Sequence, residues 1–352
     1  MNEHIDLSRF SGTVITSESE LEDILTRPIP VVVNAVSELE GDLLILGVGG
    51  KMGPTLARLA KRSIDEAGLK KHVIGVDVFP SPDQRERLEK IGVETITCDL
   101  LDSSALKKLP EVNNVIFMAG RKFGSTGAEH LTWAINTLLP ALVAERFRDS
   151  RILVFSSGNV YPFTPVFSGG PTEDHPTGPV GEYAQSCLGR ERMFDYFSRR
   201  FGTPVLLFRL NYSVELRYGV ILDIAQKVHA GVAIDLAMGN ANVIWQGDAN
   251  ARVLQSFGLC QSPPRILNVT GPETMSIRWL ANRLGYLMNR EPVFEGTESN
   301  SALLSNAAQS HKLFGYPGVP LERVVEWVAY WVLAGGPTLD KPTHFEVRDG
   351  KF

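Results

Sequence analysis

The sequence predicts an α/β protein built on a doubly wound parallel β-sheet with helices on both faces. The first observation is the alternation of short apolar runs with longer amphipathic segments from residue 42 onward. Strands of a sheet that is covered on both faces are continuously apolar, as these runs are. The second observation is a glycine-rich turn at residues 47–53, directly after the first apolar run. A turn of this kind favours ligand binding at the carboxyl ends of the strands.

The predicted elements alternate in order along the chain. Strands are expected at residues 43–46, 73–76, 94–97, 115–118, 152–155 and 205–208. Helices are expected at residues 55–64, 82–91, 128–147 and 182–200, and Pro54 suits the first turn of the first one. We therefore assign residues 42–211 to the sheet domain.

The alternation of strand and helix patterns becomes less regular after residue 211. Residues 212–352 are expected to form mainly a smaller C-terminal substrate-binding lobe, with some segments returning to the sheet domain. The predicted helices here are 221–230, 276–288 and 321–333, with short strands at 243–245 and 266–269. Residues 1–41 form an N-terminal addition in which Ser17 and Glu20 make a capping box. We expect this addition to serve packing or subunit contact.

Composition excludes several classes of function. The chain has 35 Lys and Arg against 40 Asp and Glu, a net charge of −5, so neither nucleic acid nor an anionic membrane is an expected partner. Its apolar stretches are far shorter than the roughly 20 residues that cross a bilayer. The first ten residues, MNEHIDLSRF, lack the apolar segment of a secretory signal, and the three cysteines are widely spaced. We expect a soluble cytoplasmic protein without a metal.

The turn after the first strand carries the glycine spacing Gly47-x-x-Gly50-x-x-Gly53. Here the chain must turn sharply, bring its backbone against a pyrophosphate and begin a helix close to the sheet, and each step favours glycine. The helix then presents free N–H groups to the phosphates. The sequence therefore predicts a Rossmann dinucleotide site that includes Met52. Lys51 either contacts the pyrophosphate or faces solvent.

Two carboxylates follow the next strands. Asp77 ends the second strand, 24 residues after Gly53. A carboxylate there accepts hydrogen bonds from the adenosine ribose and repels a 2′-phosphate, which favours NAD over NADP. Asp99 follows the third strand, where it either meets the adenine amino group or caps the strand end.

Further motifs follow in a fixed order, and with them the chain resembles the extended short-chain dehydrogenase/reductase family, the NAD-dependent epimerase/dehydratase group. The motifs beyond the glycine loop and Asp77 are Asp99-Leu100, Met118-Ala119-Gly120, Asn136, the segment 156–161 (SSGNVY), the segment 183–186 (YAQS), Arg209-Leu210-Asn211 and Gln246-Gly247-Asp248. The resemblance implies that Leu100, Ala119, Gly120, Asn136 and Asn211 lie at the cofactor, with Asn136 supporting neighbouring loops.

The resemblance also implies a catalytic pair. Ser157 and Tyr183 match the residues that act on a substrate hydroxyl beside the nicotinamide, where the Tyr exchanges the proton while hydride passes to or from the ring. The implied substrate is a sugar, sugar nucleotide or sugar acid with a secondary hydroxyl. A Tyr with a pKa near 10 is a poor base at neutral pH, so its pKa must be lowered.

The chain departs from the family at the residue that does this. The family has Lys four residues after the Tyr, which also binds the nicotinamide ribose, and here that residue is Cys187. Three interpretations follow: the positive nicotinamide helped by Arg190 or Arg192 suffices, the reaction needs less proton transfer, or the protein binds dinucleotide with weak or no catalysis, as a sensor or assembly partner. A nucleophilic Cys187 is a fourth; a buried helical Cys is usually inert.

Substrate contacts are expected from residues at strand ends. Arg121 and Lys122 follow the fourth strand, where they hold an anionic substrate group or lie in a solvated loop. Arg217 is the expected contact for a substrate anion in the loop after the sixth strand, and Asn159 and Trp245 are further candidates, with core packing the alternative for Trp245. Many relatives pair through two long helices, so the resemblance implies a homodimer through residues 128–147 and 182–200.

Overall fold

The computed structural model describes residues 5–122, 124 and 126–351, so the first four residues of the N-terminal addition lie outside it. The helices, in chain order, are α1 Glu18–Leu25, α2 Pro30–Glu38, α3 Gly53–Glu66, α4 Pro82–Lys90, α5 Ser103–Leu106, α6 Glu129–Trp133, α7 Leu139–Arg146, α8 Gly181–Phe201, α9 Val220–Ala230, α10 Gln246–Gln255, α11 Ile277–Met288, α12 Ala308–Phe314 and α13 Leu321–Leu333.

The strands of the central sheet are β1 Leu43–Leu46, β2 Val73–Asp77, β3 Glu94–Thr97, β4 Asn114–Phe117, β5 Arg151–Ser157, β6 Val205–Leu210 and β7 Arg265–Val269. Pairs of two-residue strands lie outside this sheet, at Thr164–Pro165 with Ser301–Ala302, Ser213–Val214 with Ile244–Trp245, Ile234–Asp235 with Phe294–Glu295, and Asn240–Ala241 with Met275–Ser276.

In the described part of the chain, the central sheet has seven parallel strands in the order β7-β6-β5-β4-β1-β2-β3. Leu44 of β1 pairs with Ile74 on one side and Val115 on the other. The strand order therefore reverses beside β1, and the loops after β1 and β4 leave in opposite directions. Such a reversal opens a crevice at the carboxyl ends of the strands. The predicted fold class is confirmed.

The side chains of β1 alternate between two apolar layers. Ile45 packs with Leu56 of α3 on one face of the sheet, and Leu44 packs with Val143 of α7 and Phe194 of α8 on the other. Because both faces are covered, every residue of β1 is buried. This explains why the strand is continuously apolar.

A second apolar core lies apart from the sheet and is shared by α1, α9, α11 and α13. It includes Leu21, Ile224, Leu284 and Val328. The N-terminal addition contributes to both regions, since Leu21 belongs to this core whereas Val36 of α2 packs in a layer of the sheet. Of the later segments, α10 packs on the central sheet and β7 is one of its edge strands.

The predicted continuous helix over 128–147 is wrong in one respect, because a π-helical segment, Ala134–Leu138, separates α6 from α7. Pro140 lies in the first turn of α7 and has no N–H to donate to the carbonyl of Asn136. The helix widens there, and such π-segments are frequent at functional sites. Among the described residues, no helix is both long and apolar enough to cross a membrane.

Candidate active site

The turn from β1 into α3 needs glycine at two positions. Gly47 has a φ of 88°, and a Cβ atom there would lie 2.6 Å from the Ala119 backbone. A Cβ atom at Gly53 would lie 2.1 Å from the Val48 carbonyl oxygen. The loop is therefore closed against both β4 and its own strand, as a close backbone approach to a phosphate requires.

Asp77, at the carboxyl end of β2, holds this loop. Its carboxylate accepts a hydrogen bond from the Gly49 N–H at 2.8 Å and another from the Val78 N–H at 2.7 Å. The carboxylate therefore lies beside the glycine loop, where an adenosine ribose would lie. Asp99 accepts a hydrogen bond from the Leu101 N–H at 3.0 Å, so it caps the turn after β3, while its neighbour Leu100 is buried.

Asn136, on the π-helical segment, joins the loop after β4 to α8. Its amide oxygen accepts hydrogen bonds from the Arg121 N–H and from Arg190, both at 2.9 Å. Its amide nitrogen donates to the Arg121 carbonyl at 2.8 Å and to the Ser186 hydroxyl at 2.9 Å. Asn136 is fully buried and all of these contacts are internal, so it fixes the loop that carries Ala119 and Gly120.

Ser157 and Tyr183 meet at the carboxyl end of β5. The Ser157 hydroxyl oxygen accepts two hydrogen bonds from Asn159, from its backbone N–H and its side-chain amide, each at 3.1 Å. The Tyr183 hydroxyl lies within hydrogen-bond range of both Ser157 and the Cys187 thiol. Cys187 comes one helical turn after Tyr183 on α8 and is completely buried.

The surroundings of Tyr183 favour its neutral form. Burial raises its pKa well above the usual value, and the neighbouring Cys187 raises it further, first by its charge interaction and then by accepting a hydrogen bond from the phenol. Burial also raises the pKa of the Cys187 thiol. Arg190 and Ser157 act in the opposite direction and lower the pKa of Tyr183. The phenol is thus held between a thiol that stabilises its protonated form and a cation that stabilises its anion.

Arg190 is the buried cation on α8, whereas Arg192 is exposed. Its guanidinium donates to the Phe155 carbonyl at 2.7 Å and to the Asn136 amide oxygen at 2.9 Å. A Cβ atom at Gly120 would lie 2.7 Å from this guanidinium, so the glycine makes room for it. Of the two arginines proposed to assist Tyr183, the structure brings Arg190 to the site.

A cavity of about 300 Å³ joins the glycine loop to the catalytic pair. The sequence-predicted residues that line it are Gly50, Lys51, Met52, Gly120, Lys122, Ser157, Asn159, Tyr183 and Asn211. Other residues line its wall as well, and Tyr212, Ser213 and Thr343 are among those not selected from the sequence as site residues. Tyr212 and Ser213 follow the carboxyl end of β6, a position that signals ligand contact in open sheets. Thr343 comes from the C-terminal tail, which carries no motif.

Both lysines of the cavity have buried ammonium groups. The Lys51 ammonium donates to the Ser213 carbonyl oxygen at 2.8 Å and lies 3.7 Å from the centre of the Tyr218 ring. It therefore does not face solvent, one of the two positions that the sequence left open. The Lys122 ammonium donates to the Thr343 carbonyl oxygen at 2.9 Å.

Three residues that were expected to contact the substrate have their side chains engaged by other parts of the protein. The Arg121 guanidinium turns back to the Gly124 carbonyl at 2.9 Å. Arg217 forms ion pairs with Glu22 at 2.8 Å, Glu215 at 3.2 Å and Glu18 at 3.3 Å, so the N-terminal addition neutralises it. Trp245 is buried against Trp327 with ring centres 5.4 Å apart, the core packing that was its alternative. None of these three residues lines the cavity that holds Ser157.

A buried ion pair supports the site from below, and only one of its two residues belongs to a motif named above. Arg209 of β6 and Glu191 of α8 make two hydrogen bonds of 2.8 and 2.7 Å. Ser156, next to Ser157, donates to the same carboxylate at 2.5 Å, and Arg209 donates to the Tyr161 hydroxyl at 2.7 Å. The pair therefore ties the end of β5 to α8, and with it Ser157 to the helix of Tyr183.

These features define the class of protein. The glycine loop fits a dinucleotide, since a Cβ atom at either Gly47 or Gly53 would fill the space against the backbone. Asp77 beside it fits a ribose without a 2′-phosphate, which its carboxylate would repel. Within the described residues, no group of three or more His, Cys, Asp or Glu side chains is arranged to hold a metal ion. The fold and the site are those of a dinucleotide-binding α/β protein.

The sequence profile of the NAD dependent epimerase/dehydratase family matches residues 43–246. This is more than half of the 352-residue chain, which therefore belongs to that family. Membership confirms the resemblance seen in the motifs and, at the level of the family, NAD as the cofactor and an enzymatic activity. None of the curated proteins compared with the chain by sequence is significantly similar to it.

Solved structures share the fold at low sequence identity. The UDP-glucuronic acid 4-epimerase of Bacillus cereus, in complex with NAD, is 16% identical with a TM-score of 0.68, over 83% of this chain and 98% of that one. The enzyme WbmG of Bordetella bronchiseptica, also in complex with NAD, is 19% identical with a TM-score of 0.67, over 87% and 98%. The UDP-glucose 4-epimerase of Thermotoga maritima, with UDP-glucose, is 15% identical with a TM-score of 0.66, over 83% and 98%.

Proposed function

We propose that the protein uses NAD to oxidise a secondary hydroxyl of a sugar, sugar nucleotide or sugar acid, with Tyr183 as acid/base and Ser157 as its partner. The observation that carries the proposal is the convergence of the two hydroxyls in the cavity that begins at the glycine loop. The proposed cofactor contacts are Gly47, Gly50, Lys51, Met52, Gly53, Asp77, Asp99, Leu100, Ala119, Gly120, Asn136, Tyr183 and Asn211.

The proposed chemistry divides between the two hydroxyls. Bound NAD supplies the hydride acceptor. Tyr183 accepts the proton of the substrate hydroxyl, while Ser157 donates a hydrogen bond to the same oxygen and keeps it in line with the phenol. Asn159 occupies the Ser157 lone pairs and thereby turns the serine hydrogen toward that oxygen. In the reverse direction Tyr183 returns the proton.

The charge that activates Tyr183 comes from Arg190 in this proposal. The family has a Lys where this chain has Cys187, and a thiol supplies no positive field. Arg190 lies two helical turns after Tyr183 on the same helix, and its hydrogen bonds to Phe155 and Asn136 hold it at the base of the site. Its charge lowers the pKa of Tyr183, in the direction that a family lysine would.

The test follows absorbance at 340 nm while the purified protein is incubated with NAD and a panel of sugars, sugar acids and sugar nucleotides. Net NADH identifies a dehydrogenase, and product without net NADH identifies an epimerase or dehydratase. Tyr183→Phe should lower the rate by about 10²- to 10⁴-fold. Tyr286→Phe, at an exposed tyrosine on α11, is the matched control and should leave it unchanged.

The activities of structural neighbours support a carbohydrate substrate. The Bacillus cereus enzyme is named for UDP-glucuronic acid and the Thermotoga maritima enzyme for UDP-glucose. For this chain, the panel of substrates described above distinguishes among a free sugar, a sugar acid and a sugar nucleotide.

A second candidate function is that of a dinucleotide-binding protein with weak or no catalysis, a sensor or an assembly partner. Cys187 is the observation that favours it, since it raises the pKa of the proposed base instead of lowering it. Cys187→Lys discriminates between the two. If the natural protein is inert and the Cys187→Lys variant is active, the binding function is supported. If the natural protein is active and Tyr183→Phe abolishes that activity, the binding function is contradicted.

We also propose a homodimer through the α6, α7 and α8 side of the molecule. Leu131, Trp133, Leu138 and Tyr196 are large apolar or aromatic residues there, and 41%, 37%, 54% and 53% of their surfaces are exposed. Exposed apolar groups on one side of a molecule favour subunit contact. Analytical ultracentrifugation should show a dimer, and Leu138→Glu should shift it toward the monomer.

A further inference from the structure

Two lysines from distant segments bring their charges into the catalytic cavity. Lys51 belongs to the glycine loop after β1, and Lys122 follows β4 on the other side of the strand-order reversal. Both line the cavity that contains Ser157 and Tyr183. The topology of the sheet, not the sequence spacing, therefore brings two ammonium groups to the reacting end of the site.

The contacts of the Lys51 ammonium within the described residues are a carbonyl oxygen of Ser213 and the ring of Tyr218. Neither carries a full negative charge. Burial of a cation is costly unless an anion compensates it. The result is that burial lowers the pKa of Lys51 to about 7 and that of Lys122 to about 8.

Two of the carboxylates near the lysines, Glu215 and Asp223, already have other partners. Glu215 and Asp223 act on Lys51, and Asp223 and Glu346 act on Lys122, together with the Cys187 thiol. Glu215 pairs with Arg217 at 3.2 Å. Asp223 accepts two hydrogen bonds from Thr343, at 2.8 and 2.5 Å. An anion entering the cavity would meet two cations, and both carboxylates that act on Lys51 already have other partners.

We propose that Lys51 and Lys122 form an anion-binding subsite that takes a carboxylate or a phosphate group of the substrate beside Ser157 and Tyr183. The inference rests on the proposed function and narrows its substrate class to acidic carbohydrates. Hydrogen bonds from two ammonium groups to one anion are charge-assisted and are stronger than neutral ones. They would also offset the cost of burying the Lys51 charge.

The test compares matched ligands on the NAD-loaded protein by isothermal titration calorimetry. D-Glucuronate is compared with D-glucose for the carboxylate, and D-glucose 6-phosphate and inorganic phosphate provide the phosphate arm. The matching anionic sugar should bind at least about tenfold more tightly than D-glucose. Preference for glucuronate assigns the subsite to a carboxylate, and preference for the phosphate ligands assigns it to a phosphate.

Three variants assign the preference to the two lysines. Lys51→Met and Lys122→Met keep the length of the side chain but remove its charge, so each should bring the affinities of the anionic and neutral sugars close together. Lys107→Met removes an exposed lysine from the C-terminal end of α5 and should leave the preference unchanged. Thermal unfolding of each variant shows whether it remains folded.

The pH dependence of ligand affinity in the natural protein tests the subsite without a variant. The ammonium groups are charged below their pKa values, so affinity for glucuronate should be greatest below pH 7 and fall as the pH rises through about 7 and about 8. Affinity for D-glucose should not follow this course. Lys51→Met should remove the earlier part of the fall.

Failure of this inference is distinguishable from failure of the proposed function. NAD binding is measured first, and its absence contradicts the proposed function itself. With NAD bound, equal affinity for anionic and neutral sugars overturns the subsite, as does the lack of binding by every anion tested. A Lys51→Met protein that keeps the preference for anions also overturns it, whether or not it binds NAD more weakly.

Discussion

The Tyr183 hydroxyl lies within hydrogen-bond range of the Cys187 thiol, one turn further along α8. The phenol donates toward the sulfur, and this contact raises its pKa in addition to the effect of burial. Cys187 lies where the resemblance implies a lysine, and it therefore acts on the proposed base in the sense opposite to that expected of a lysine. Four predictions follow from this relationship and from the residues that hold it in place.

Replacement of Cys187 by Ala should move activity to lower pH. The thiol stabilises the neutral phenol, so its removal lowers the pKa of Tyr183, and a reaction that needs the phenolate then begins at a lower pH. The measurement is the pH profile of kcat. Cys98→Ala, at a buried cysteine on the far side of β2, is the control. An unchanged profile in Cys187→Ala would separate the thiol from the proton transfer.

Replacement of Arg190 by Met should move the same profile to higher pH. The guanidinium lowers the pKa of Tyr183, so without its charge the phenolate forms later. Arg190→Lys keeps the charge and should retain part of the effect, whereas a purely structural role would impair both variants alike. If the two variants have the same profile, the charge of Arg190 is not what activates Tyr183.

Replacement of Gly53 by Ala should destabilise the glycine loop and weaken NAD binding. The added methyl group would lie 2.1 Å from the Val48 carbonyl oxygen, so the backbone must shift, at a cost of about 1–3 kcal/mol. Gly258→Ala is the matched control, because a Cβ atom there meets nothing within 4 Å. Thermal unfolding and NAD titration report the two effects. Equal behaviour of both variants would contradict the geometry of the loop.

Replacement of Glu191 by Gln should lower the free energy of unfolding by about 3–5 kcal/mol, because it leaves the Arg209 charge buried without its counter-ion. Asp195→Asn removes a more exposed ion pair with Arg199 on the same helix and should have a small effect. Denaturant unfolding measures both. Comparable losses of unfolding free energy in the two variants would show that burial does not increase the effect of breaking the Glu191–Arg209 pair.

The sequence predicted the elements of the sheet domain closely, because their signals are local. Continuous apolar runs mark strands covered on both faces, and the glycine spacing records a turn that tolerates no Cβ atom. The helix around Asn136 was less well predicted. A π-helical segment forms there because Pro140 cannot donate a hydrogen bond and because the Asn136 side chain is held by Arg121, Ser186 and Arg190.

The partners of the charged residues at the site could not be predicted from the sequence. Arg217 follows a strand end and looks like an anion contact, but Glu18 and Glu22 arrive from the N-terminal addition and neutralise it. Lys51 and Lys122 enter the same cavity although 70 residues separate them in the sequence. The net charge at a site depends on which segments meet there, and spacing along the chain does not record that.

By itself, the sequence determined the doubly wound sheet and the glycine loop, since each depends on residue types at short spacing. The pairing of Ser157 with Tyr183 was expected from the resemblance to the family. Only the tertiary structure decided which cations lie near the pair: Arg190 of α8 acts on Tyr183, and Lys51 and Lys122 line the same cavity. The physical reason is that covalent neighbours fix backbone geometry, whereas the electrostatic field at a phenol sums over charges that folding brings close.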